Sequence, residues 1–293
     1  MIPPLISFVT WNRMGLTVRN LSSLLNTKDD FELHIVDSNS QDDTWMYLDS
    51  LKDPRIKSKT RFNVNRGQIY AANYTLSKRK KDQFFFTVDN DVNIVSPDDW
   101  VSKFLAAFDA FPGLGLLGAV RKQYYERHRI TAIKRQFKDL TCHIIRQGFV
   151  EGCCQCIHPD ILNRLGYWSE ENCMGDLEIC YRILKFTTYE IGYFPSIEVN
   201  QTQYIPCAEC TANEDCTLCN ANENCFERYK LKYVNPQFRN MFFYKYEKCR
   251  EEMEKGIRTP YCASVHDQAS MNKTIYNRHM AEENFDFYSR NSN

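Results

Sequence analysis

Several things that would settle the class of this chain at a glance are missing from it. No apolar run approaches the ~20 residues a membrane-spanning helix requires, which excludes a bilayer-spanning reading of the sequence. Its first residues, Met1-Ile2-Pro3-Pro4, have neither the basic stretch nor the apolar stretch of a secretory signal. An excess of one charge is missing too. With 37 basic and 37 acidic residues the formal net charge is zero, so no global field draws the chain to nucleic acid. Cysteine is absent before Cys142, yet thirteen follow from there on. In a reducing compartment those are thiols or metal ligands rather than disulfides. No internal repeat is visible. These absences point to a cytoplasmic protein. The basic run Lys78-Arg79-Lys80-Lys81 reads as a solvated helix end, with peripheral contact to anionic lipid as its other reading.

What is present is the composition of a folded enzyme-sized chain. At 43% hydrophobic and 25% charged residues, its 293 residues can bury a substantial core. The first half alternates short apolar runs with amphipathic stretches. Residues 5–9, 31–36, 56–62 and 84–88 read as strands. Residues 16–25, 44–51 and 68–80 read as the helices between them, with Asp42 or Asp43 placed to cap the second. Strands separated by such helices imply βαβ units and a mostly parallel sheet. The fold class predicted is therefore α/β, a nucleotide-binding type of sheet with flanking helices.

Farther along, residues 100–111 read as a helix, 114–120 as a strand and 129–150 as paired strands. Residues 159–165 and 177–185 read as helices and 191–199 as a strand. A short cysteine-rich insert follows, and then an aromatic and charged tail, partly helical, that packs back on the sheet. The division predicted is residues 1–204 (halves at about 1–112 and 113–204), 205–228 and 229–293.

Ligands of open α/β sheets bind beyond the carboxyl ends of the strands. That rule lines up Thr10 to Arg13, Asp37 to Asn39 and Asp89 to Asp91 along one edge. Asp89-Asn90-Asp91 directly follows the strongest strand in the chain, Phe84-Phe85-Phe86-Thr87-Val88. Carboxylates two residues apart in such a turn offer hard oxygen ligands to Mg²⁺ or Mn²⁺, ions that complete their shell with water and substrate phosphates. Asp and Asn are also ordinary turn formers, so this motif alone decides little.

The order of motifs decides more. From about Ile6 to Val199 the chain resembles family 2 glycosyltransferases of the GT-A fold. Phe8-Val9-Thr10-Trp11-Asn12-Arg13 resembles the family's opening strand and nucleotide loop. Ile35-Val36-Asp37-Ser38-Asn39-Ser40-Gln41-Asp42-Asp43-Thr44 is similar to its second-strand signature. Asn65-Arg66-Gly67 with Asn73, then Phe86-Thr87-Val88-Asp89-Asn90-Asp91, follow in the family's sequence. Gly152 to Ile157, Leu165-Gly166, Trp168-Ser169-Glu170 and Gly175-Asp176-Leu177-Glu178 with Arg182 extend the likeness into the acceptor half.

The resemblance implies an enzyme that moves a sugar from a UDP- or GDP-sugar to an acceptor hydroxyl with inversion. It implies that Asp37, Asn39, Thr10, Asn12 and Arg13 form the nucleotide pocket, with Arg66 available to neutralise phosphate. Asp89 would contact nucleotide and metal, Asp91 would be the main ligand of Mn²⁺ or Mg²⁺, and Asp176 at a helix N-terminus would be the general base. The acceptor could be a saccharide, a lipid-linked sugar or a protein side chain. Two departures stand out. Gly175 occupies the place of a common Glu, and Asn200 and Gln201 stand where many members carry a metal-binding histidine. His266 is the substitute ligand the sequence offers, or else a plain surface histidine.

Cys207-x2-Cys210, Cys216-x2-Cys219 and Cys225 suit a small structural Zn²⁺ site, although an iron–sulfur cluster and free thiols are alternatives. Gly113-x-Gly115-x-x-Gly118 imitates a dinucleotide fingerprint but follows a helix rather than a strand. A sugar-nucleotide pyrophosphorylase should carry a glycine- and arginine-rich phosphate loop near its start, and none is present. A reading of a different kind is a non-catalytic GT-A-like module that uses the cysteine insert to hold a partner.

Overall fold

The computed structural model describes residues 2–95, 98–121, 132–201 and 236–290. Its first half is β1 (Leu5–Thr10), α1 (Met14–Leu25), β2 (Glu32–Asp37), α2 (Thr44–Ser50), β3 (Ile56–Arg61), α3 (Gln68–Leu76) and β4 (Phe85–Asp89). There follow β5 (Val92–Ile94), α4 (Trp100–Ala110), β6 (Leu114–Val120), the hairpin β7 (Ile133–Phe137) and β8 (Leu140–Ile145), and β9 (Cys154–Ile157). Then come α5 (Pro159–Leu165), α6 (Gly175–Phe186) and the long β10 (Glu190–Gln201). The last segment carries α7 (Pro236–Glu254), α8 (Gln268–Met271) and α9 (Arg278–Arg290).

The strands form one ten-stranded sheet in the order β3-β2-β1-β4-β9-β6-β10-β8-β7, with β5 paired to β10 off this path. β1 runs parallel to both β2 and β4, and its register sets Thr10 opposite Asp37 and Val9 opposite Asp89. The three loops predicted to converge therefore leave the sheet at the same level. Successive side chains of a strand point to opposite faces, and the core divides accordingly. Ile6, Phe8, Phe86 and Val88 pack with α1, α2 and α4 on one face. Leu5 and Phe85 pack with α3, α5 and α6 on the other. Each such fully buried large side chain contributes about 1.5–3 kcal/mol.

Two features depart from the expected pattern. The parallel run is broken by β9, which lies antiparallel between β4 and β6 and buries Cys154 and Cys156 completely. Burial there pushes the Cys154 thiol up to about 12, the behaviour of an inert small hydrophobe. Helix α3 ends at Leu76 rather than near Lys80, because Arg79 turns its guanidinium onto the carbonyls of Lys80, Lys81 and Gln83. Within the same basic run, Lys80 pairs with Glu32 at 2.8 Å. The three glycines of the dinucleotide-like pattern lie at the start of β6 and within it. A Cβ at Gly118 would meet Val150 at 2.3 Å, so Gly118 serves close packing.

The tail packs back on the sheet domain as expected. Cys262 bridges Gly166 in a parallel register, and Tyr181 on α6 donates to Glu254 on α7 at 2.9 Å. Among the described residues no helix is long and apolar enough to cross a membrane. The candidate zinc ligands Cys207, Cys210, Cys216, Cys219 and Cys225 lie outside the described residues.

Candidate active site

The first wall of the site is the β1–α1 turn. Asn12 and Arg13 both adopt left-handed backbone, with φ of 54° and 63°. Non-glycine residues rarely hold that conformation, and here the second loop fixes it. The Asn12 amide donates to Ser40 Oγ at 2.7 Å, the Gln41 amide donates to Asn12 Oδ1 at 2.8 Å, and the Met14 amide donates to Asp42 Oδ2 at 3.0 Å. Asp42 thus caps α1, while its other oxygen accepts from the Thr44 amide that opens α2. Asp37 has no solvent exposure. It accepts from the hydroxyl and amide of Ser40 and lies 3.4 Å from Arg61 Nε. Burial raises its pKa against those bonds. Its carboxylate shapes the turn that presents Asn39, itself left-handed at φ 69°.

The floor is the turn after β4. Asn90 ties this turn to the first wall, donating from Nδ2 to Thr10 Oγ1 at 3.0 Å while its carbonyl accepts from Asn20 at 2.8 Å. Asp89 accepts from Gln68 Nε2 at the head of α3. Asp91 lies 3.5 Å from Arg13 and accepts from Gln201 Nε2 at 3.3 Å. Burial, followed by the charges of Asp91 and Asp176, holds Asp89 well above the usual carboxylate range. Burial also raises Asp91, with Arg13 opposing it. A buried carboxylate raised by its neighbours' negative charge, as Asp89 is, is stabilised in its ionised form by a cation.

The third element is Asp176, second residue of α6. The Gly152 amide donates to its Oδ2 at 2.7 Å. A Cβ at Gly152 would stand 2.1 Å from Oδ1, so only glycine lets the backbone approach this closely. Desolvation pushes Asp176 up to about 6, with the Gly152 amide opposing and the Glu151 charge adding to the rise. A carboxyl group near that value is suited to proton transfer close to neutrality.

Thr10, Asn12, Arg13, Asp37, Asn39, Asp89, Asp91 and Asp176 therefore gather around one edge. His266 and Arg66 are engaged elsewhere. The His266 Nε2 donates to the Tyr70 carbonyl at 3.0 Å, its ring packs edge-on to Tyr70 and Tyr74, and burial pushes it down to about 4. The place beside Asp91 belongs to Gln201 instead. Arg66 lies 3.4 Å from Glu282 on α9 and over the Tyr70 ring at 5.4 Å, occupied by the tail rather than free for a phosphate. Sequence reasoning missed Gln68 and the Gly152 amide, and it placed Gln201 at the position of the absent histidine without giving it a role. Gln68 carried a signal, since it opens a helix at the sheet's carboxyl edge.

Among the described residues no group of three or more His, Cys, Asp or Glu side chains is arranged to hold a metal by itself. Asp89 and Asp91 instead make a sparse, all-oxygen donor pair. This fits Mg²⁺ or Mn²⁺, which take one or two carboxylates and leave the rest of the shell to water and phosphate oxygens.

A mixed α/β sheet with this edge and this carboxylate turn defines the class of GT-A glycosyltransferase folds. The family model described as "Glycosyl transferase family 2" matches residues 6–164, and the chain belongs to that family. Among solved structures, it is similar to a mannosyltransferase from Pyrobaculum calidifontis in complex with GDP-Man and Mn²⁺. That match has 15% identity and a TM-score of 0.58, covering 88% of this chain and 65% of the other. It is also similar to residues 1–349 of TarS from S. aureus in complex with UDP, at 16% identity and a TM-score of 0.50, covering 67% and 60%. The chain thus spans a little under two thirds of each of these relatives. No curated protein sequence matches it.

Proposed function

We propose that the protein transfers a sugar from a nucleoside diphosphate donor to an acceptor hydroxyl, with inversion at the anomeric carbon. The observation that carries this reading is the meeting of Asp89, Asp91 and Asp176 at one edge, close enough for the charges of the other two to raise Asp89. The laced loops of Thr10, Asn12, Arg13 and Asn39 would seat the nucleoside, with Asp37 holding the second loop in shape. Asp89 and Asp91 would hold Mn²⁺ or Mg²⁺, which when bound neutralises the charge of the departing diphosphate. Arg13, beside Asp91, would add a second positive charge on the same side.

Asp176 would act as the general base. Its ionised carboxylate accepts the proton of the acceptor hydroxyl while that oxygen attacks the anomeric carbon, and the diphosphate leaves from the opposite side. The Gly152 amide, fixed on Oδ2, leaves Oδ1 to receive the proton. The relatives crystallised with GDP-Man and Mn²⁺ and with UDP support a UDP- or GDP-linked donor. A saccharide, a lipid-linked sugar or a protein side chain would serve as acceptor. In the domain scheme that accompanies this reading, residues 1–204 form the transferase domain, 205–228 a cysteine-rich insert and 229–293 a C-terminal extension.

The test is a panel of UDP- and GDP-sugars with Mn²⁺, scored for release of the nucleoside diphosphate. At least one donor is expected to turn over with the wild type, and Asp91→Ala is expected to abolish that turnover. A panel silent throughout, with no metal-dependent stabilisation by UDP or GDP, favours the non-catalytic module instead.

A further inference from the structure

The loop from Ser169 to Asp176 delivers the candidate base, yet most of what holds it comes from far along the chain. Glu170 is fully buried at its start. Its carboxylate accepts from Ser264 Oγ at 2.6 Å, the Val265 amide at 3.0 Å, the Tyr276 hydroxyl at 2.7 Å and Asn73 Nδ2 at 2.9 Å. Its carbonyl accepts from Asn284 Nδ2 at 2.7 Å. Next to it Glu171, also buried, pairs with Arg258 at 2.6 Å and accepts from the Asn277 amide at 2.8 Å. Every one of these partners except Asn73 lies beyond residue 257.

Between Glu170 and the base the loop is tight. The Cys173 amide donates to the Ser169 carbonyl at 3.0 Å, the Met174 amide to Asn172 Oδ1 at 3.0 Å, and Cys173 sits at φ 51°. A loop bonded to itself in this way moves as a unit, so whatever sets the position of Glu170 also sets the entry of α6 and the direction of Asp176. The tail reaches the donor side as well. Ser289 donates to the Asn65 carbonyl at 3.2 Å, and Tyr288 covers Gly67, the residue before Gln68, whose amide holds Asp89.

We propose that Glu170 is a positioning residue of the transfer reaction, through which the C-terminal segment 258–290 fixes the loop that carries Asp176. This rests on the reading of Asp176 as the base. Four donors converge on one carboxylate, more than a passive surface contact requires; they work against the desolvation that still leaves its pKa raised. The segment is accordingly part of the catalytic architecture rather than an appendage.

Glu170→Gln keeps the volume but turns an N–H toward donors that need an acceptor. Three readouts are taken on the full-length chain: titration calorimetry of UDP with Mn²⁺, turnover of UDP- and GDP-sugars, and amide hydrogen exchange. The expected result is a UDP affinity within roughly twofold of wild type and a kcat lowered by roughly 10- to 100-fold. Amides 172–177 should exchange faster while those of β1, β2 and β4 stay as protected as before. Tyr276→Phe, which removes one donor, should do the same on a smaller scale. Unchanged exchange in the loop overturns the proposal, and so does faster exchange across the whole sheet with UDP affinity lost in parallel. A wild-type chain inactive on every donor removes the transferase reading, and the exchange pattern still decides whether Glu170 positions the loop.

Discussion

The two sides of the active site are built on different plans. On the donor side, the loops after β1, β2 and β4 are laced by bonds among residues 10 to 90, most of them to the neighbouring loop. On the acceptor side, the loop before α6 is fastened by side chains and a backbone amide 94 to 114 residues away in the sequence. The donor side is therefore laced mainly within the nucleotide half, with Gln201 on Asp91 and Ser289 on the Asn65 carbonyl as its contacts from farther along the chain. The acceptor side draws most of the bonds on Glu170 and Glu171 from the tail, with Asn73 and the Gly152 amide as its other supports.

The comparison predicts that binding and chemistry separate. The largest effect should come from Asp176→Asn, which lowers kcat by about 10²- to 10⁴-fold with UDP·Mn²⁺ affinity retained, as steady-state rates and calorimetry would show. A parallel loss of affinity would mean that the two sides are one unit.

Next in size is Arg182→Met. Arg182 and Glu178 are both buried, 2.7 Å apart, and the guanidinium also bonds to the carbonyls of Leu165, Tyr167 and Pro260, which join α6 to the tail. Removing one partner of such a pair costs about 3–5 kcal/mol, to be read from urea unfolding.

The pH dependence follows from the raised carboxylates. Asp176 must be ionised to accept a proton, so kcat should rise with pH through about 6 and then level off. Stability of the metal-free protein should run the other way. Between the usual aspartate value and about 6 the folded state holds a proton that the unfolded chain has released, so stability falls as pH rises across that window. Asp176→Asn should flatten this slope, leaving the part due to the other raised carboxylates, and stabilise the metal-free protein at pH 7 by ~1–2 kcal/mol, allowing for solvent screening. Thermal melts at a series of pH values check the sign. The smallest effect expected is that of His266→Asn on Mn²⁺ binding, because Gln201 rather than His266 stands beside Asp91. A clear loss of metal affinity in that variant would return His266 to the site.

Legibility in the sequence followed the same division. The strands and helices around Thr10, Asp37 and Asp89 could be read because each apolar run ends in its own polar turn, and the parallel register then places those turns together. A cap of α2 by Asp42 or Asp43 was readable for the same local reason, and Asp42 is the one whose carboxylate meets the Thr44 amide; its bond to the Met14 amide of α1 was not readable. β9 was readable as a strand with buried thiols, but the four residues Cys154–Ile157 carry no pattern that reveals its antiparallel run in the middle of the sheet. His266 was misleading because its surroundings are Tyr70 and Tyr74, residues nearly two hundred positions earlier. Glu170 gave no hint of its donors at all. Spacing along a chain reports turns and faces but says nothing about which distant segment will close over a buried carboxylate.

The most direct test of the account is the titration of UDP and GDP into the protein with and without Mn²⁺, repeated with Asp91→Asn. The account predicts binding that tightens strongly with Mn²⁺ in the wild type, and a variant that keeps only the weak, metal-independent part. Nucleotide affinity indifferent to Mn²⁺, or equal in the two proteins, would contradict it.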